Sequence, residues 1–345
     1  MATLSPEQIA DLVLGVQNQL GKNKVEDFYT PLQEYYAMPK LIKNKKLKER
    51  GGRGIQFNAR IATASAAQHT GLYANDEINV VDLLKQASIP WRFSKTNWAY
   101  DVQEVRMDIG PSAIVNFVEE KRIDAMISLA ELMETAFWGG PADESDVLTP
   151  FGIGYWFQRN ASEGFNGGNP AGFPSGCAGL NASTYPGWKN YTGSYAEITK
   201  DDLVLKMRRA FRRTKWKSPV ALNDYHMGDD FSVCAPETVV ETLESYLEEQ
   251  NDNLGNDIAS KDGRLIFRRV AVDWVPALDS DAQVPVYGIN WGSFYPVTLA
   301  GSFMEESKPT QVAGKHTVYA VFNDTTWNIC CKNRRRQWVL HYVAA

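Results

Sequence analysis

No apolar run of about 18 residues or more occurs in this chain, so no segment reads as a membrane-spanning helix. A basic-then-apolar leader is missing too: Met1 to Leu14 opens on polar and acidic residues, and no secretory signal is expected. Cysteine is scarce. Cys177, Cys234, Cys330 and Cys331 are the only four; none forms a two-residue-spaced pair, and they suggest no disulfide framework. Cys330 and Cys331 on a strand would point to opposite faces, so a bond between them is not expected. The chain reads as one made and kept in a reducing cytoplasm. A basic excess is also missing. The formal net charge is −5, which argues against a protein whose main task is gripping nucleic acid.

Catalytic patterns are equally sparse. His69, His226, His316 and His341 are far apart and lack metal-ligand spacing. His226 with Asp224, Asp229 and Asp230 is the best local cluster, and a polar turn around Gly228 accounts for it more simply. Nucleophile elbows, phosphate-cradling loops and dinucleotide fingerprints do not occur. Phe151-Gly152-Ile153-Gly154 lacks the third glycine. Glu119 and Glu120, read as a glycosidase pair, would point about 100° apart on a helix and could not flank one sugar bond. No catalytic residue, metal or cofactor is expected.

What is present is an ordinary globular composition, 44% hydrophobic and 22% charged over 345 residues, enough for one large domain or two ordinary ones. Ser5-Pro6-Glu7-Gln8 has the form of a helix start, followed by an apolar stripe from Ile9 to Leu20. A basic run including Lys40, Lys43, Lys45, Lys46, Lys48 and Arg50 ends abruptly at Gly51-Gly52, which suggests an extended arm on a hinge. From Arg53 to about Val105 the alternation is that of strands, with Ile55 to Ile61 and Trp91 to Tyr100 around a polar tip at His69 to Asn79. Two strands alone are marginal in water, so this excursion needs a partner surface.

Gly110-Pro111 then opens a helix of about 27 residues, ~40 Å long, that Gly139-Gly140-Pro141 stops. A long irregular segment follows, Phe151 to Ala196. Thr199 with Asp202 forms a capping box ahead of a basic amphipathic helix carrying Arg208, Arg209, Arg212 and Arg213. Pro236 opens an acidic helix carrying Glu237, Glu241, Glu244, Glu248 and Glu249. The opposite charges on these helices suit pairing within the chain or between subunits better than nucleic-acid readout. Strands are expected at Leu265 to Val275, Val284 to Ile289 and Phe294 to Leu299, and a terminal β pair at Thr317 to Phe322 and Trp327 to Val343.

The order of parts resembles the major capsid proteins of tailed bacteriophages with the Hong Kong 97 fold, over nearly the whole chain. Local stretches are similar as well: Phe165 to Gly172, Thr199 to Leu203, Pro285 to Trp291, and Trp327 to Val343. The resemblance implies an α+β fold with an N-arm (1–52), an E-loop hairpin (53–98), a P-domain with a long spine helix and a loop insertion (99–201), an A-domain (202–300), and P-domain return strands (301–345). It implies a homo-oligomer of pentamers and hexamers, assembled in the host cytoplasm into a virion capsid around non-specifically contacted double-stranded DNA. Separate scaffolding and portal proteins, and optionally a decoration protein, would be its partners; a membrane would not.

In the family the E-loop lies over a neighbouring subunit. Its tip here would place His69, Gly71, Tyr73, Asn75, Asp76 and Glu77 at a subunit contact. The arm, spine and A-domain would add Lys45, Lys46, Glu119, Arg122, Arg208, Arg212, Glu244 and Glu248. A covalent E-loop crosslink, found in some members, is not expected, because no lysine lies between Arg53 and Lys85. Two alternatives stay open: an encapsulin-like nanocompartment shell, and a carbohydrate-binding protein or enzyme using the ten tryptophans.

Overall fold

A computed structural model describes residues 36–38, 48–61, 69–70, 72, 82–107, 111–215, 230–249 and 265–344. In chain order, β1 (Lys48–Arg50) leads to a hairpin of β2 (Ile55–Arg60) and β3 (Leu84–Ile89), then β4 (Arg92–Asp101) and α1 (Val102–Met107). The long helix α2 (Pro111–Trp138) and the single turn α3 (Ile153–Trp156) precede β5 (Gly164–Gly167), β6 (Asn190–Tyr195) and α4 (Leu205–Thr214). After β7 (Phe231–Ala235) come α5 (Glu237–Glu249), β8 (Ile266–Phe267), β9 (Val270–Trp274), β10 (Val286–Asn290) and β11 (Phe294–Leu299). Short β12 (Glu305–Glu306) and β13 (Thr310–Gln311) then lead to β14 (Val318–Cys331) and β15 (Trp338–Tyr342).

Two larger sheets organise these elements. In the first, β14 is central, paired with β11, β12 and β13 along one side and with β4 along the other, while β1 adds to β11 in parallel. The second runs β5-β6-β15-β10-β7-β9-β8. One of its faces joins the core beneath α2, through Cys234, Tyr287, Ile289 and Val339. Its other face is covered by α4 and α5, through Met207, Ala210, Phe211, Val239 and Leu243. Gly288 lets the sheet close here: a Cβ there would meet the Trp338 ring at 1.9 Å.

The helix α2 forms where expected. Pro111 has no N–H to leave unsatisfied at the first turn, and Gly139-Gly140 ends the helix. Ala125, Leu129, Met133 and Phe137 are its buried stripe, four apart as the helical period requires. Thr199 also caps as expected: its hydroxyl accepts the Asp202 N–H at 3.2 Å, and the first turn, Lys200–Val204, is a π turn. The Asp202 carboxylate turns back to the N–H groups of Ala196 and Glu197.

Two expectations need correction. The hairpin partner of β2 is β3, register Ile55↔Ile89 to Arg60↔Leu84, and not the strand from Trp91 to Tyr100. That strand is β4, which pairs with β14 over its whole length. The terminal β pair is likewise not a hairpin. β14 continues through Asn323 and Thr325, whose side chains are buried, and β15 belongs to the other sheet, beside β10 and β6. Cys330 and Cys331 are buried free thiols.

Two short crossings join the sheets, β10 to β11 at 290–294 and β14 to β15 at 331–338, and they are tied together. Gln337 accepts the Asn290 N–H at 2.7 Å and donates to the Ser293 hydroxyl at 2.9 Å; Lys332 N–H donates to the Ser293 carbonyl. Within the second crossing Arg334 is fully buried. Its guanidinium donates to the carbonyls of Trp156 (2.9 Å), Trp188 (3.1 Å) and Gly168 (3.0 Å) and to Asn190 Oδ1 (3.0 Å). The irregular segment 151–189 is thus wrapped around one cation.

An ion pair closes the far end. Arg159 reaches both Asp281 oxygens, Gln283 Oε1 (2.9 Å) and the Tyr287 hydroxyl (2.7 Å). Burial raises the Asp281 carboxyl, but the Arg159 hydrogen bond and charge and the Gln283 N–H outweigh it and hold it below its ordinary value. A group depressed in the folded chain stabilises above its unfolded value, about 3.9, and that part is lost as pH falls through the folded value. The stability advantage of the wild type over Asp281→Asn should therefore be full above pH about 5 and shrink as the pH drops below about 4, as read from denaturant midpoints against pH.

Candidate assembly surfaces

The hairpin β2–β3 is anchored most firmly at its base. Ile55, Ala87 and Ile89 are buried in the main core, and Ser88 N–H donates to the Ala178 carbonyl. Phe57 packs against Trp188 with ring centroids 6.2 Å apart. Farther out, Asn58, Arg60, Leu84, Lys85 and Gln86 are exposed. Among the described residues one face of the excursion, through Ile55, Phe57 and Ala59, finds its core within the chain, while the other face and the far end are exposed. Beyond it, His69 is exposed, and Leu72 is 93% exposed. Gly71, Tyr73, Asn75, Asp76 and Glu77 lie outside the described residues.

Where it is described, the arm ahead of Gly51-Gly52 is docked on α2. The Glu134 carboxylate on α2 is buried and accepts the N–H groups of Tyr36 (3.2 Å), Ala37 (2.9 Å) and Met38 (2.8 Å), with the Trp138 indole N–H at 2.7 Å. A carboxylate from one helix thus caps successive amides of another segment, a charge-assisted arrangement. The Tyr36 hydroxyl donates to Asp273 at 2.5 Å, and burial raises its pKa well above the ordinary value. Sequence reasoning missed Glu134 because it shares a helix with several solvent-facing acids. Lys45 and Lys46 lie outside the described residues.

Along α2, Ile123, Met126, Ile127 and Ala130 are half-buried and Leu132 is 52% exposed, so the helix carries apolar surface that the described residues do not cover. Arg122 is met inside the chain: its Nε lies 2.7 Å from Glu306. The Glu119 side chain is outside the description. Nearby, Arg92 donates to the carbonyls of Asp146 (3.0 Å), Val147 and Thr149 (3.1 Å). The Asp146 carboxylate accepts from Leu148 and Thr149 N–H. This well-tied loop holds Val147 and Leu148 out to solvent, Leu148 at 80% exposure.

On the second sheet, Arg208 and Arg212 of α4 and Glu244 of α5 are exposed; the Glu248 side chain is outside the described residues. Two other charges of this layer are paired within the chain, Arg209 with Glu163 at 3.1 Å and Lys206 with Asp202 at 2.5 Å.

The titratable groups of the interior have structural surroundings. Burial pushes the Cys177 thiol up to about 11 and raises Cys331 further. His341 is buried beside Arg159, and its pKa is lowered by burial first. Among the described residues no group of three His, Cys, Asp or Glu is placed to hold a metal. His226, Asp224 and Asp229 lie outside them. The tryptophans on which a glycan-binding reading rests are mostly core: Trp98, Trp156, Trp188, Trp291, Trp327 and Trp338 are all buried.

No family model and no curated protein sequence matches the chain. Solved structures do. The chain is similar to the subunit of the cyanophage A-1(L) capsid asymmetric unit, at 14% identity and a TM-score of 0.62 over 93% of this chain and 97% of that one. It is similar to the capsid of a native GTA particle (8%, TM-score 0.54, 94% and 96% covered) and to the capsid of Myoviridae phage XM1 (12%, TM-score 0.53, 94% and 98%). The chain therefore has the α+β fold of tailed-phage capsid subunits. In particular, this is the Hong Kong 97-like fold.

Replacing Glu134 with Gln puts an amide NH₂ among N–H donors. Glu134→Gln should cost about 2 kcal/mol and remove the hydrogen-exchange protection of the Ala37 and Met38 amides, while leaving β15 protected.

Proposed function

We propose that the chain is the major capsid protein of a tailed phage, a shell subunit without an active site. Copies gather into pentamers and hexamers, which close an icosahedral shell around double-stranded DNA in the host cytoplasm. The observation that carries this reading is the likeness to capsid subunits over 93–94% of this chain and 96–98% of theirs. Heterologous contacts between identical copies generate rings, and each contact can be modest because the closed shell multiplies it. The half-covered hairpin and the uncovered flank of α2 supply surfaces for such contacts. A separate scaffolding protein and a portal are the partners this reading calls for, and DNA is touched without sequence readout. On this reading the A-domain, 202–300, carries α4 and α5, and the spine helix is α2.

Negative-stain microscopy of the purified protein with its scaffold tests the proposal. Particles tens of nanometres across are expected, whereas a persistent monomer with glycan affinity contradicts it. Deleting about ten residues between His69 and Asn79 should leave a folded subunit, because the segment lies beyond the anchored base of the hairpin, and should block shell formation. Normal shells from the deleted protein would show that the hairpin tip makes no needed contact.

A further inference from the structure

We propose that the basic outer face of α4 and the acidic outer face of α5 are the two halves of one contact between copies of this chain, the basic helix of one subunit meeting the acidic helix of another. The inference rests on the shell-subunit reading and names a contact within it.

Both helices cover the same face of the second sheet and share its core. α4 packs on β6 and β15, and α5 on β9. The Tyr246 hydroxyl of α5 donates to the Ile198 carbonyl, just ahead of the α4 cap, at 2.9 Å. The helices are therefore fixed relative to each other, and their outward faces are displayed as one rigid layer. Arg208, Arg212, Arg213 and Lys215 are exposed on one part of that layer, and Glu237, Glu241 and Glu244 on the other. Among the described residues none of these seven forms an ion pair within the chain, whereas Lys206 and Arg209 of the same helix do.

Opposite charges held in one rigid layer and left unpaired within it can be satisfied by a second copy, which necessarily carries both faces. Copies meeting like face to like face would place guanidinium against guanidinium, so the charges also exclude wrong registers. Duplex DNA is the rival occupant of the basic face. It is disfavoured because the α5 carboxylates share the layer and the chain is net negative at −5, so phosphates approaching α4 meet repulsion.

The test is a charge swap read by light scattering as the critical concentration for shell assembly. Arg208→Glu with Arg212→Glu, and separately Glu241→Lys with Glu244→Lys, should each raise that concentration about tenfold or more. All four substitutions together restore complementarity and should bring it back to within about threefold of the wild type. The milder pair Glu241→Gln with Glu244→Gln should shift it in the same direction by a smaller factor, which guards against a reversal that disturbs folding. Unassembled subunits should melt as the wild type does, because the side chains are exposed.

Pair variants that assemble at the wild-type concentration overturn the contact, and so does a four-fold swap that fails to recover. An Arg208→Glu, Arg212→Glu variant that assembles normally but loses affinity for duplex DNA assigns the basic face to DNA instead. A wild-type chain that forms no shell overturns the shell reading itself, a result distinct from any of these.

Discussion

The buried guanidinium of Arg334 is the interaction on which the rest of the fold depends. A cation removed from water is tolerated only where acceptors replace its hydration. Here the acceptors are three main-chain carbonyls and one amide oxygen, drawn from residues 156, 168, 188 and 190. Those positions run from the end of α3 to the start of β6, and most of the stretch between them has little regular structure. The same arginine sits in the crossing from β14 to β15, so it fixes the irregular stretch and the junction of the two sheets together. A lysine could not reproduce this, since the planar fork addresses several acceptors at once.

That rigid centre explains the uneven character of the surface. Close to it, the base of the hairpin, the α3 turn and much of the two crossings are buried and held by hydrogen bonds. Away from it, the outer hairpin, one flank of α2 and the loop bearing Val147 and Leu148 hold apolar or polar surface in a defined shape that the described residues leave exposed. A monomer gains little from ordered, uncovered surface of this kind. A subunit that repeats gains a set of preformed contacts, with little ordering entropy left to lose at assembly.

Much of this was legible in the sequence. Punctuation by Gly110-Pro111 and Gly139-Gly140-Pro141 bounds α2 correctly, because those residues act through local backbone chemistry. The Thr199 cap is legible for the same reason. The hairpin partner was not, because Leu84-Lys85-Gln86-Ala87-Ser88-Ile89 buries only Ala87 and Ile89 and so carries a weak alternation. The stronger alternation of Arg92 to Asp101 marks a strand buried on one face of a large sheet, and periodicity reports burial rather than the identity of the partner. Asn323 and Asp324 looked like a break, yet β14 runs through them, paired on both sides. Least legible was Arg334 itself. In Lys332 to Arg336 composition shows only a basic turn, and whether a cation faces water or carbonyls is decided by residues more than a hundred positions away.

The central claim is that this chain finishes its structure on its neighbours. Hydrogen–deuterium exchange on free and assembled protein tests it most directly. The account predicts that amides of the outer hairpin, around Asn58 to Arg60 and Leu84 to Gln86, exchange quickly in the free subunit and become protected in shells, while the Arg334 turn is protected in both. Hairpin amides whose exchange is unchanged by assembly would contradict it.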